Sequence, residues 1–94
     1  MVSDTAHVFV VDDSADNRFL LQALLEDEGY EITSIAHGRE VLPAVLEKPP
    51  DLILLDVMMP EMSGYEVTRQ IREVDSLPFI PILLVTAHEQ SNVV

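Results

Sequence analysis

The sequence predicts an α/β fold, a doubly wound parallel β-sheet with helices on both faces. Three observations predict it. Residues 8–11, 52–55 and 82–85 are short, continuously apolar runs rich in Val, Ile and Leu. Such runs are too short for typical helices and match strands buried on both faces. Between them lie stretches whose apolar residues recur at helical spacing. Strands alternating with helices favour a parallel sheet with right-handed crossovers.

The elements follow in order. Val8, Phe9, Val10 and Val11 form the first strand. Residues 16–28 form a helix with a stripe of Phe19, Leu20, Ala23, Leu24 and Leu25. Ser14 or Asp16 can cap its start, and Gly29 is placed to end it. Residues 30–36 mix apolar Tyr30, Ile32 and Ile35 with polar Glu31, Thr33 and Ser34, the pattern of an edge strand. Val41, Leu42, Val45 and Leu46 mark a second helix, stopped by Pro49 and Pro50. Residues 52–55 are the third strand. Val67, Ile71 and Val74 mark a third helix, entered by Ser63 and Gly64. Pro78 and Pro81 flank the start of the fourth strand, where proline is tolerated. Residues 89–94 are expected to open a fourth helix.

Composition narrows the function. The chain has 94 residues, which predicts one domain over 1–94. It has no cysteine, which excludes disulfides and thiolate sites. No apolar stretch approaches the roughly 20 residues that span a bilayer, and the opening residues carry Asp4 and no basic segment, unlike a signal peptide. A cytoplasmic location is expected. Seventeen acids against five Lys and Arg give a formal net charge of −12. That excess repels nucleic-acid backbones and anionic lipids, so neither is an expected partner. A solvated acidic surface explains most of these acids. Only those at special positions call for chemistry.

Ligands of parallel sheets gather at the carboxyl ends of the strands. The first strand ends at Asp12 and Asp13, the third at Asp56 and the fourth at Thr86. Each alone has an ordinary explanation as a turn former, helix cap or dipole partner. Together they place three carboxylates and a hydroxyl on one edge. Two such charges about 4 Å apart repel by about 4 kcal/mol at an effective dielectric near 20. The cluster must therefore take up protons, bind a cation or lose stability. Magnesium suits all-oxygen ligands, and beside it a carboxylate can serve as a phosphoryl acceptor. His7, His37 and His88 are too scattered for a zinc site and are expected to be surface or core residues.

The residues Val10, Val11, Asp12 and Asp13, then the stretch from Leu54 to Gly64 with Asp56, Met59, Pro60, Met62 and Gly64, then Pro81 to Ala87, resemble response-regulator receiver domains. The resemblance runs through essentially the whole chain in order and spacing. It implies a CheY-like, flavodoxin-like fold with strand order 2-1-3-4. It implies that Asp56 is the phosphoacceptor, that Asp13 binds Mg2+ directly and that Asp12 binds it directly or through water. The backbone carbonyl of Met58 would complete the metal ligands. Thr86 would be the switch hydroxyl, and Ala87 would offer its backbone N–H to the phosphoryl group. Met58 and His88 would tune phosphoryl lifetime. The donor would be a sensor histidine kinase or phosphotransfer protein, and the chain would be a switch rather than an enzyme. The alternative is a non-switching interaction module with an idle acidic site. An aspartyl phosphatase would place an acid where Met58 stands, and Asp12 and Asp13 would repel a flavin phosphate.

The family's fifth strand, fifth helix and strand-ending lysine would lie beyond Val94, and Lys48 is no substitute for that lysine. Loss of four or five buried side chains, at about 1.5–3 kcal/mol each, rivals a domain's whole stability. An uncovered fourth strand also invites pairing with another chain. A homodimer through that surface is therefore expected, with weakened phosphorylation and output. Sedimentation should report a dimer at micromolar concentration; a stable, well-folded monomer would refute this.

Overall fold

The computed structural model describes residues 5–85. Its elements are β1 (His7–Val11), α1 (Ala15–Asp27), β2 (Glu31–Ile35), a 3₁₀ turn (Gly38–Glu40), α2 (Val41–Glu47), β3 (Leu52–Asp56), α3 (Gly64–Arg72) and β4 (Ile82–Val85). The strands form one parallel sheet in the order β2-β1-β3-β4. This is the expected α/β architecture and strand order. Residues 89–94, expected to open a fourth helix, lie outside the described residues.

Local signals set the helix ends. Ser14 caps α1 by accepting a hydrogen bond from Asn17 N. Gly29 follows α1 with φ 96°, a left-handed conformation that disfavours a β-carbon. Ser63 and Glu66 form a reciprocal capping box at the start of α3. Arg69 and Arg72 stand in the last turn of α3, where cations suit the macrodipole. The helix ends at Arg72, so Val74, expected in its stripe, belongs to the turn that follows.

Strand alternation divides the apolar residues between two faces. Phe9, Val11, Ile35, Ile53 and Leu55 join Val41 and Val45 of α2 and Val67 and Ile71 of α3 in the main core. Met59 and Ile80, from connecting segments, complete it. Val8 and Val10 point the other way, to the face that carries α1. Cover on that second face thins across the sheet. Val10 is fully buried, Leu54 is half-buried and Leu83 is 56% exposed. The α1 stripe differs from a core-facing one: no α1 residue is buried, and Phe19, Leu20 and Leu24 are exposed. In this layer α1 packs mainly against β1 and β2, and part of its apolar surface meets solvent. Leu46 of α2 is likewise exposed, while Val41 and Val45 carry that helix's burial.

His7 is buried at the amino edge of the sheet. Its N donates to Asp51 Oδ2 at 2.8 Å, and its Nε2 shares a hydrogen bond with Thr33 Oγ1 at 2.7 Å. These bonds tie the start of β1 to β2 and to the lead-in to β3.

At the opposite edge, Gly64 brings α3 against the end of β3. Its N donates to Val57 O at 3.0 Å. A β-carbon on Gly64 would lie 2.6 Å from Asp56 O and 3.0 Å from Val57 Cα, so backbone would have to move. Gly64→Ala is expected to lower folding stability by about 1–3 kcal/mol, seen as a lower urea midpoint with little change in slope.

Candidate metal centre

Sheet register builds the site. Val11 pairs with Leu55 across β1 and β3, so Asp12 and Asp56 emerge side by side. Asp56 in turn pairs with Val85 of β4. The strand order reverses between β1 and β3, which opens a crevice at their carboxyl ends. Asp12, Asp13 and Asp56 each place a carboxylate oxygen there, all within 4.8 Å of one another. Asp12 and Asp56 are buried, and Asp13 is exposed.

Asp12 is held firmly. Its N donates to Ile35 O at 3.1 Å. Its Oδ1 accepts from Ser14 N at 2.9 Å, its Oδ2 from Asn17 Nδ2 at 3.3 Å, and its O from Arg18 Nη1 at 2.7 Å. Asp56 Oδ1 accepts from Met58 N at 3.2 Å. Met58 thus joins the site through its amide, while its side chain is exposed. Val57 N donates to Val85 O at 3.1 Å, which fastens the loop after β3 to the end of β4. Thr86 directly follows Val85, but Thr86, Ala87 and His88 lie outside the described residues.

The loop beyond Met58 has its own constraints. Glu61 adopts φ 72°, the left-handed region unusual for a residue with a β-carbon. Its carboxylate forms an exposed ion pair with Arg39 Nη1 at 2.7 Å, which connects this loop to the 3₁₀ turn before α2. Neither Asn17 and Arg18 nor the Arg39–Glu61 pair stood out in the sequence. For Asn17 and Arg18 the available signal was their place in the first turn of a helix that starts right after the acids.

The donor set fits a hard divalent cation: three carboxylate oxygens converge, and no sulfur or imidazole ligand stands among them. The electrostatics agree. Burial pushes the Asp56 carboxyl above its ordinary value of 3.8. The Met58 N–H opposes this, while the charges of Asp12 and Asp13, and a hydrogen bond with Asp13 that needs a proton, push it further up.

Relatives place the chain. The model of the response regulator receiver domain family matches residues 8–94. The chain belongs to that family. It is 42% identical over 80 residues to the polar-differentiation response regulator DivK of Brucella anthropi, covering 85% of this chain and 65% of DivK. It thus spans a little under two thirds of the length of that relative. Among solved structures it is similar to the receiver domain of the Arabidopsis thaliana histidine kinase CKI1 complexed with Mg2+ and BeF3−. The TM-score is 0.84 at 34% identity, covering 88% of this chain and 66% of that one. It is also similar to the Vibrio cholerae chemotaxis protein CheY4, with a TM-score of 0.80 at 36% identity, covering 94% and 76%. The receiver fold of two-component signalling, expected from the resemblance of the stretches around Asp12, Asp56 and Thr86, is therefore the fold of this chain.

The raised Asp56 carboxyl has a signed consequence. From about pH 3.8 upward to its folded value, the folded receiver binds more protons there than the unfolded chain does. Stability of the metal-free protein should therefore fall as pH rises through that window. Asp56→Asn should raise the metal-free thermal midpoint at neutral pH and flatten this dependence, read by circular dichroism melts across pH.

Proposed function

We propose that this receiver accepts a phosphoryl group on Asp56 from a sensor histidine kinase or phosphotransfer protein, in a Mg2+-dependent reaction, and changes conformation in response. The observation that carries the proposal is the buried Asp56 carboxylate with oxygens of Asp12 and Asp13 within 4.8 Å. The related CKI1 receiver was crystallised with Mg2+ and BeF3−, which supports the same ion here.

Asp13, Asp56 and, directly or through water, Asp12 would hold the ion, with the Met58 carbonyl beside them. When bound, magnesium would supply positive charge that offsets the three carboxylates and neutralises the incoming phosphoryl group. The chain's own residues do the rest. An Asp56 carboxylate oxygen attacks phosphorus, an acyl phosphate bond forms, and the P–N bond to the donor imidazole breaks. The departing nitrogen takes up a proton. Met58 N–H orients the Asp56 carboxyl by holding Oδ1. The hydroxyl of Thr86 and the backbone N–H of Ala87 would bind the phosphoryl oxygens, and movement of Thr86 toward them would report the modification. The chemistry is confined to the domain's own phosphorylation and dephosphorylation, so the chain acts as a switch rather than an enzyme on other substrates. A cytoplasmic location agrees with such a donor; among the described residues no helix is long and apolar enough to cross a membrane.

A second reading is a self-associating module whose acidic site is idle. Exposed Leu83 and Val85 on β4, together with Phe19, Leu20 and Leu24 on α1, favour an apolar contact with another copy. One experiment separates the readings. Incubation with acetyl phosphate and Mg2+ should add one phosphoryl mass to the intact protein, and EDTA or Asp56→Asn should abolish the adduct. A wild-type protein that gains no Asp56-dependent adduct, by mass or by beryllofluoride binding, favours the idle module.

A further inference from the structure

The acidic site leaves one cation to explain. Arg18 lies in the first turn of α1, where the helix presents its own partial positive charge and a cation is disfavoured. The other cations have evident places: Arg39 pairs with Glu61, Lys48 with Glu31, Arg72 lies over the Phe79 ring, and Arg69 stands in the last turn of α3, where the macrodipole favours a cation. Arg18 instead turns back along its helix, half-buried, and Nη1 donates to the main-chain O of Asp12 at 2.7 Å. Its neighbour Asn17 donates to Asp12 Oδ2. Asn17 also lines, with Asp12, Asp56, Val85, Leu20 and Leu21, a cavity of about 210 Å³ beside the acids.

Like-charge repulsion would turn the Asp12 side chain away from Asp13 and Asp56. Two hydrogen bonds hold its carboxylate, from Ser14 N and Asn17 Nδ2, and two hold the main chain that carries it, to Ile35 O and from Arg18 Nη1. Hydrogen bonds behind a metal-binding carboxylate orient it, and their loss typically lowers metal affinity 10–100-fold, about. We infer that Asn17 and Arg18 are positioning residues for the acidic site: they lock Asp12 against the repulsion, so that a divalent cation meets three oxygens already gathered. This rests on the metal-binding reading above.

The test uses the full chain and Mg2+ alone, followed by calorimetric titration at fixed pH. Asn17→Ala and Arg18→Ala should each weaken Mg2+ binding by about tenfold, the low end of that range. Arg18→Lys, which keeps a donor and the charge, should restore most of it. The double variant should lose less than the product of the two single losses, because both act through Asp12. The affinity losses should not scale with the changes in metal-free thermal midpoint, since the lock aims the Asp12 oxygens at the cation as well as supporting the fold. Asp16→Ala, in the same turn with no bond to Asp12, should bind Mg2+ as the unsubstituted protein does. Unchanged affinity in both alanine variants, or losses that track the metal-free midpoint, would overturn the positioning role while leaving the metal site standing. An unsubstituted protein that binds no Mg2+ at millimolar concentration would overturn the metal site itself and the positioning role with it.

Discussion

The mutual repulsion of three carboxylates at the carboxyl end of the sheet is the constraint around which the domain is arranged. The acids sit within 4.8 Å because the register of a parallel sheet delivers them there. Parallel pairing gives adjacent strands a common direction, so the residues that follow Val11 and Leu55 emerge together. Keeping such charges close in a buried crevice is unfavourable unless something offsets them. In the metal-free state the Asp56 carboxyl is raised first by burial and then by the charges of Asp12 and Asp13, so it carries part of that tension. The same tension makes the crevice receptive to a cation.

The surrounding backbone is shaped to hold the arrangement. Gly64 allows the start of α3 to touch the carbonyl of Asp56, where a side chain would intrude. The capping box at Ser63 and Glu66 begins α3 at that point, and the Ser14 cap begins α1 just past Asp13. Both helices therefore start beside the strand ends that carry the acids, and at α1 the Ser14 N–H donates to Asp12 Oδ1. The main core lies away from this edge, between the sheet and α2 and α3, and fixes the strands from one side.

Much of this was legible in the sequence. The three apolar runs became β1, β3 and β4, and the mixed segment became the edge strand β2. Asp12, Asp13 and Asp56 could be joined on paper because each directly follows or ends an apolar run, and parallel strands end on one edge. Ser14 and Gly29 announced their ends of α1 through residue chemistry alone. What was not legible depends on side-chain paths and on which neighbours cover a face. The α1 stripe reads as a buried face by spacing, yet Phe19, Leu20 and Leu24 are exposed, because periodicity says where apolar residues align and not what meets them. The paths of Asn17 and Arg18 back to Asp12 were hidden for a similar reason: both are ordinary surface residues of a helix until the turn before it is in place. Burial of Met59 and Ile80, outside any strand or helix, required the loops to fold back over the core.

The Arg39–Glu61 contact gives the loop after β3 an unusual attachment. Pro60 and the left-handed Glu61 preset the curvature of that segment, Met59 and Met62 pack it on the core, and its ion pair to the 3₁₀ turn stands in open solvent. Exposed pairs of this kind are weak and are screened by dissolved salt. The rim of the crevice is therefore moored from below by apolar packing, and dissolved salt loosens only its outer strap.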